Sequence, residues 1–185
     1  TMTRIFGYDH ALPELRRRTG RLDQLFGVEL LEYQDGPERG GRVLRFRTGS
    51  GLAFDVLVDR AMDVAGLELA GIPIGWRSPT GFRHPWLHEH DAEEGAGWLR
   101  SFSGILNTCG LDHIMGPTEE TADHYNYPFR SNIRHGLHGR IAYTPARLEG
   151  YGVRTAADGQ LVLWARGEIR QAAMFAEHLI LYREI

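Results

Sequence analysis

The sequence predicts an all-β protein whose strands are mainly antiparallel. In residues 52–59, the apolar residues Leu52, Phe54, Val56 and Val58 alternate with residues of the opposite face, which is the clearest strand pattern in the chain. The 23 glycines are spread between short apolar runs rather than clustered, as turns between strands require. We therefore expect short strands joined by turns, with residues 52–59 as a central, buried strand.

Weaker strand patterns lie on both sides of this segment. They cover residues 28–33, 42–47, a hairpin at 67–74 that turns at Ala70-Gly71, and then 141–148, 160–168 and 175–185. A helix is predicted only in residues 12–26, where leucines recur at helical spacing and Thr19-Gly20 divides the segment. Residues 77–132 show little periodicity, which is typical of a functional loop region.

Length and composition favour one globular domain, residues 1–185, and exclude several classes of protein. The net charge of −3 does not favour a nucleic-acid partner. A membrane span needs about 18 consecutive apolar residues, and no apolar run in the sequence is that long. No secretory signal is visible. The single cysteine, Cys109, cannot form an internal disulfide and fits a reducing compartment, so we expect a cytoplasmic protein without a membrane partner.

Two histidines in the segment HGLHGR, residues 135–140, are the first candidates for chemistry. His135 and His138 stand three residues apart, and the glycines between and after them let the backbone bend so that both imidazoles could project into one cavity. Arg140 supplies a fixed cation beside them. The alternative is an ordinary loop in which one histidine bonds within its own turn.

Residues 103–113 form a second candidate segment. Its small and polar residues allow a ligand to approach the backbone, and Asn107 and Thr108 could bond hydroxyl groups. A tight buried connection is an equally good interpretation. Nothing near Cys109 indicates a lowered thiol pKa, so we expect it to be a small buried residue rather than a nucleophile.

Two further groups carry charges that could bind a ligand. Residues 84–94 are rich in histidine and carboxylates, which would suit a divalent metal, although an exposed acidic loop is the favoured interpretation. Arg60 follows the clearest strand and lies between Asp59 and Asp63 in sequence. It could bind a hydroxyl or a phosphate, or it could belong to a structural ion pair.

Several of these segments resemble the aldose 1-epimerase and hexose-6-phosphate mutarotase superfamily, which is galactose mutarotase-like. The His138-Gly139 step is similar to the superfamily's His-Gly motif, and Phe102–Gly110 is similar to the glycine-rich segment that precedes it in the hexose-phosphate branch. Along nearly its whole length, the chain resembles an aldose 1-epimerase-like branch of this superfamily, whose function is poorly defined. Its hallmarks are DRAMD at 59–63, GWRSPTG at 75–81, GWLRSF at 97–102, TCGL at 108–111 and LHGRI at 137–141.

This resemblance implies a large, twisted β-sandwich with a saccharide cleft on one sheet. The reaction that it implies interconverts sugar anomers: one group removes the proton of the anomeric hydroxyl while another donates a proton to the ring oxygen. His138 is then the catalytic residue, and Arg60, Asn107, His135 and Arg140 bind the substrate, a sugar or sugar phosphate. The resemblance implies no metal and no nucleotide cofactor.

The sequence departs from the family's pattern at two points, and these departures leave other functions possible. The family's second histidine has no counterpart in Gln171–Phe175, and its catalytic glutamate would lie beyond Ile185. The alternatives are a carbohydrate-binding module without catalysis, and a metal-dependent sugar isomerase that uses His135, His138 and residues 84–94. Because the strand pattern continues to Ile185, we expect the chain to be the front portion of a longer sandwich. Its uncovered sheet edge would favour self-association.

Overall fold

Two antiparallel β-sheets pack face to face and form the body of the protein. The computed structural model describes residues 2–124 and 129–185. In chain order the strands are β1 (Met2–Ile5), β2 (Tyr8–Ala11), β3 (Gly27–Glu32), β4 (Arg42–Arg47), β5 (Leu52–Leu57), β6 (Asp63–Leu69), β7 (Ile72–Pro73), β8 (Thr118–Thr121), β9 (Asn132–His135), β10 (Ala146–Thr155), β11 (Leu161–Ala172) and β12 (His178–Glu184).

The larger sheet has the order β3-β4-β5-β6-β7 and the smaller sheet the order β10-β11-β12, while β1-β2 and β8-β9 are separate hairpins. One α-helix, α1 (Leu12–Arg18), follows β2. The remaining helical segments are short 3₁₀ turns at Leu22–Gln24, Gly36–Glu38, Pro85–Leu87, Ala92–Gly95, Gly97–Arg100, Ala122–His124 and Ile141–Tyr143. Among the described residues, no helix is long and apolar enough to cross a membrane.

The main core lies between the two sheets because each contributes one apolar face. From the larger sheet come Leu44, Phe46 and Val56, which alternate with outward-facing residues such as Arg45. From the smaller sheet come small and branched side chains, of which Ala165 is fully buried. The two-residue period of the strands thus accounts directly for the sandwich.

The turn between β5 and β6 connects the two sheets. Its residues Ala61 and Met62 both have left-handed backbones, with φ of 50° and 58°. The Ala61 amide donates to the Thr144 carbonyl at 3.1 Å, just before β10 begins. Met62 packs on Gly167 of β11 so closely that a Cβ there would lie 2.6 Å from the Met62 sulfur. The turn therefore fixes the position of the smaller sheet.

A buried carboxylate lies at the end of this turn. The Asp63 side chain has no exposed surface, and it accepts hydrogen bonds from the Thr108 amide at 3.0 Å, the Thr108 hydroxyl at 2.5 Å and Arg183 Nη1 at 2.9 Å. Arg60 Nη2 lies 3.8 Å from the same carboxylate. We call Arg60, Asp63, Thr108 and Arg183 the Asp63 cluster. Burial raises the pKa of Asp63, whereas the Thr108 hydrogen bonds and the two arginine charges oppose this shift.

Most of the predicted elements are present, although several limits differ. Strand β5 is central but ends at Leu57, not at 59, because the chain turns into the left-handed residues. The predicted strand 141–148 begins only at Ala146, since Ile141–Tyr143 is a 3₁₀ turn. The predicted strand 175–185 begins at His178 because Phe175 has a left-handed backbone with φ of 64°.

The predicted helix and loop region were largely correct. Helix α1 and the turn at Leu22–Gln24 divide residues 12–26 where the sequence predicts a break. Residues 77–132 are mainly irregular in the described part, but they contain the short strand β8 and four 3₁₀ turns. Hairpin β1-β2 was not predicted because its side chains are mostly exposed, which leaves no apolar alternation to recognise.

Replacing the buried carboxylate is expected to destabilise the whole sandwich. Asp63→Asn leaves Arg60 and Arg183 without their shared counter-charge, so we expect the free energy of unfolding to fall by about 3 kcal/mol or more. The control is Glu184→Gln, which removes the exposed pair of Arg154 and Glu184 and should cost less than about 1 kcal/mol. Urea denaturation measures both changes. Equal losses in the two variants would contradict the central role of Asp63.

Candidate functional site

The turn that carries His138 connects β9 to the 3₁₀ turn at Ile141–Tyr143. His138 has a left-handed backbone with φ of 64°. Its amide donates to the Met115 carbonyl at 2.9 Å, and its carbonyl accepts a hydrogen bond from the Gly110 amide at 3.3 Å. Both backbone groups of His138 are thereby held by the segment 110–115.

Two glycines let this turn approach its neighbours. At Gly136, a Cβ would lie 2.8 Å from the His90 carbonyl oxygen. At Gly139, where φ is +76°, a Cβ would lie 2.6 Å from the His113 carbonyl oxygen and would collide with the Asp112 carboxylate. No side chain larger than hydrogen fits at either position unless the turn moves.

Asp112 holds the other end of the turn. Its carboxylate is 1 % exposed and accepts hydrogen bonds from the Arg140 amide at 3.1 Å and from Arg140 Nη1 at 3.0 Å. Asp112 therefore partly neutralises Arg140, a predicted substrate-binding residue. It also fixes the backbone two residues after His138. The sequence analysis gave Asp112 no role, although it lies inside the segment 103–113 that was singled out.

The His138 side chain lies against an aromatic wall. Its ring stands edge-on to the Trp98 ring at a centroid distance of 4.8 Å, and Trp98 stacks on Phe102 at 4.5 Å. His138 Nδ1 is buried and has no hydrogen-bond partner among the described residues. Buried polar atoms are usually hydrogen-bonded, so this unsatisfied nitrogen makes His138 a candidate for contact with a ligand.

Asn107 connects Trp98 to the Asp63 cluster. With its amide oriented to satisfy both ends, Asn107 donates to Asp63 Oδ2 at 3.1 Å and accepts a hydrogen bond from the Trp98 indole N–H. The Trp98 ring is thus anchored through Asn107 to the buried carboxylate. The sequence predicted Asn107 as a ligand-binding residue, but it offered Trp98 only as part of the GWLRSF motif and gave no sign that the two residues are in contact.

His135 has different surroundings from His138. Its Nε2 lies 2.7 Å from Glu120 Oε1, its ring stacks on His113 at 4.9 Å, and its Nδ1 is 3.8 Å from Asp112 Oδ2. His135 lines a cavity of about 490 Å³, which His138 does not line. The idea that both imidazoles share one cavity has no support in this geometry.

Arg60 lies beneath the site rather than at its surface. Its side chain is 3 % exposed, and Nη1 donates to the Ser103 carbonyl at 3.0 Å. Burial lowers the pKa of Arg60, although the neighbouring Asp63 charge opposes this shift. Its Nη2 is buried without a hydrogen-bond partner among the described residues. The geometry is that of the structural ion pair considered above.

Two aromatic residues that the sequence analysis did not connect form a stacked pair. The His88 and Tyr143 rings lie 3.3 Å apart and nearly parallel. Burial lowers the pKa of His88 to about 4 and raises that of Tyr143. Both side chains are therefore neutral at pH 7, so neither can lose or gain a proton readily there.

The histidine-rich segment 84–94 serves the structure in two places. His84 accepts a hydrogen bond from the Trp86 amide at 3.1 Å, and His90 accepts one from the Gly136 amide at 2.9 Å. The carboxylates of this segment are exposed, as expected for an acidic loop. Within residues 2–124 and 129–185, no three histidine, cysteine, aspartate or glutamate side chains are arranged so that they could hold a metal ion.

The closeness of Gly139 to its neighbours generates a prediction. Gly139→Ala should destabilise the protein by two effects, a left-handed alanine and a collision with the His113 carbonyl. Gly71→Ala is the matched control, because φ there is +79° and nothing lies within 4 Å. We expect the free energy of unfolding to fall by about 1–2 kcal/mol in Gly71→Ala and by at least about 1 kcal/mol more in Gly139→Ala. Urea denaturation measures both losses. Equal costs would show that the turn can move freely.

The chain is similar to a known protein family and to a solved structure. The profile described as Domain of unknown function (DUF4432) matches residues 38–185. A structure from Klebsiella pneumoniae subsp. pneumoniae MGH 78578, described as a "putative aldose 1-epimerase", is similar with a TM-score of 0.72 and 24% sequence identity. The match covers 88% of this chain and 41% of that one, so the chain spans about two fifths of that protein's length. No curated protein matches.

The expected fold is confirmed by this structural match. The chain has the mainly antiparallel β-sandwich of an aldose epimerase, as its sequence motifs indicated. The family match covers most of the chain, including His138, Asn107 and the whole Asp63 cluster. The protein therefore belongs to the DUF4432 family, which is described as a domain of unknown function.

Proposed function

We propose that the protein binds a sugar beside His138 and interconverts its anomers by acid–base ring opening. One observation carries the proposal: His138 Nδ1 is buried without a hydrogen-bond partner among the described residues, on a backbone that is held at both its amide and its carbonyl. An imidazole can accept and release a proton near neutral pH, which this reaction requires. The fold, shared with an aldose epimerase-like structure, supports the same reaction class.

The chemistry assigns a separate task to each neighbouring residue. His138 exchanges a proton with the anomeric hydroxyl or the ring oxygen, and the ring opens and recloses on its other face. The Trp98 ring offers an apolar surface to the C–H groups of the sugar, at a position fixed by Asn107. Arg140, held by Asp112, donates hydrogen bonds to sugar hydroxyls.

The other two predicted binding residues act less directly in this proposal. Arg60 bonds the Ser103 carbonyl and lies against Asp63, so it supports the site from below. His135 lies between Glu120 and Asp112, where it binds substrate only if the substrate extends to the cavity beside β8. Ring opening also needs a second proton-transfer group. None of residues 1–185 is assigned that role in this proposal.

A binding module without catalysis is the second candidate function. One observation favours it: the segment Gln171–Phe175 carries no histidine where the resemblance expects the second one. Gln171 there is buried on β11, which offers an amide but no titratable group. Both functions use the same residues around His138, so anomer exchange distinguishes them and sugar affinity alone does not.

Replacing His138 with asparagine tests the proposal. Asparagine tolerates the left-handed backbone of this position, so the turn should keep its shape. In the full-length protein we expect anomer exchange to fall by about 100-fold or more. Sugar affinity should fall by only about 1–2 kcal/mol, the cost of one hydrogen bond. The measurement is NMR exchange between anomers across a panel of aldoses and their 6-phosphates.

The control for this variant is His178→Asn, which changes an exposed histidine on β12. It should leave exchange at the wild-type rate. If His138→Asn also retains full exchange with a sugar that the wild type converts, His138 takes no part in the reaction. Sugar binding without exchange in the wild type would establish the binding module instead.

A further inference from the structure

A second cavity, of about 590 Å³, opens on the outer face of the five-stranded sheet. Its walls carry the charged and aromatic residues Arg45, Arg47, Asp55, Glu68, Trp76, Arg77 and Phe82, with small residues between them. No residue of the His138 turn lines it. The cavity is therefore separate from the site proposed above.

The strand register explains why charged groups face each other across this cavity. Arg47 of β4 pairs with Ala53 of β5, and Ala53 pairs with Glu68 of β6. The small Ala53 side chain leaves space between a guanidinium and a carboxylate. One group donates hydrogen bonds and the other accepts them, so together they match the two roles of a sugar hydroxyl.

Trp76 forms an aromatic wall of the cavity. Trp76 is 55 % exposed, so a ligand in the cavity can reach its ring. The preceding Gly75 lies flat on β6: its amide donates to the Leu67 carbonyl at 3.0 Å, and a Cβ would lie 2.9 Å from the Leu67 nitrogen. This contact fixes where Trp76 stands.

Arg77 differs from the other two arginines of this cavity, which lie close to carboxylates. Arg45 pairs with Asp55 at 3.0 Å, and Arg47 lies 3.5 Å from Glu29. In the described part of the chain, no carboxylate lies within ion-pair distance of Arg77, whose guanidinium stands 4.4 Å above the Phe82 ring. Stacking on an aromatic ring holds a guanidinium in place while leaving its N–H groups free.

From these features we infer that the cavity binds a pyranose unit that carries an anionic group, a carboxylate or a phosphate. The sugar's C–H face stacks on Trp76, its hydroxyls bond Arg47 and Glu68, and the anion pairs with Arg77. A row of aromatic contacts, Trp76 to Phe102 at 5.3 Å and Phe102 to Trp98 at 4.5 Å, leads from here toward His138. This binding does not depend on His138 being catalytic.

The test is an NMR titration of the full-length protein with glucuronate, glucose 6-phosphate, glucose and inorganic phosphate, following the Trp76 indole signal. The two acidic sugars should bind at least ten times more tightly than glucose or phosphate alone. Arg77→Gln should remove this preference, whereas Arg77→Lys should keep part of it. Trp76→Ala lacks this indole signal, so its affinities are measured by calorimetry, and binding of every sugar should weaken by at least tenfold.

Two matched controls use exposed residues outside the cavity. Trp86→Ala removes a tryptophan that is 84 % exposed, and Arg39→Gln removes an exposed arginine. Neither should change any affinity. Because Trp76→Ala could loosen the Phe102 contact, its unfolding midpoint is compared with that of Arg77→Gln. A sugar preference that survives in folded Arg77→Gln and Trp76→Ala overturns the proposal.

The remaining outcomes are equally decisive. If inorganic phosphate binds as tightly as glucose 6-phosphate, the cavity recognises an anion and not a sugar, and the proposal fails. If no acidic sugar moves the Trp76 signal at millimolar concentrations, it fails as well. In His138→Asn, the Trp76 titration should be unchanged. A cavity that still binds acidic sugars while anomer exchange proves absent in the wild type refutes only the catalytic function.

Discussion

The structure depends on one buried carboxylate. Asp63 has no exposed surface, and a charge in such a position is tolerated only when hydrogen bonds and opposite charges surround it. Its partners come from three separate parts of the chain: Arg60 in the same turn, Thr108 in the loop before His113, and Arg183 on β12. Satisfying this carboxylate therefore brings the two sheets and the site loop together.

The candidate site follows from the same constraint. Thr108 is fixed on Asp63, its neighbour Asn107 reaches both Asp63 and Trp98, and Trp98 forms the wall against His138. A second buried carboxylate, Asp112, then holds the turn at Arg140. The His138 ring is thus positioned by groups that face the protein interior, while its own Nδ1 remains without a partner among the described residues. An acid–base residue must be held in a fixed position, and these contacts supply that for the role proposed for His138.

The sequence predicted the sheets better than the site. Alternation in residues 52–59 follows from burial of one strand face, so β4, β5 and β11 could be recognised locally, whereas the exposed hairpin β1-β2 could not. The motif residues around Arg60 and His138 were found, but their partners were not. Asp63 meets Arg183 across 120 positions, and no local pattern encodes a contact of that range. The site contacts of Trp98 and Asp112 were missed for the same reason.

The most direct test of this account is a double-mutant cycle between Asp63 and Arg183. It compares the unfolding free energies of the wild type, Asp63→Asn, Arg183→Gln and the double variant. Because the 2.9 Å contact is largely buried, with Asp63 fully enclosed, and joins the two sheets, we predict a coupling energy of about 2 kcal/mol. Additive effects, with a coupling within about 0.5 kcal/mol of zero, would contradict the claim that this carboxylate holds the sandwich together.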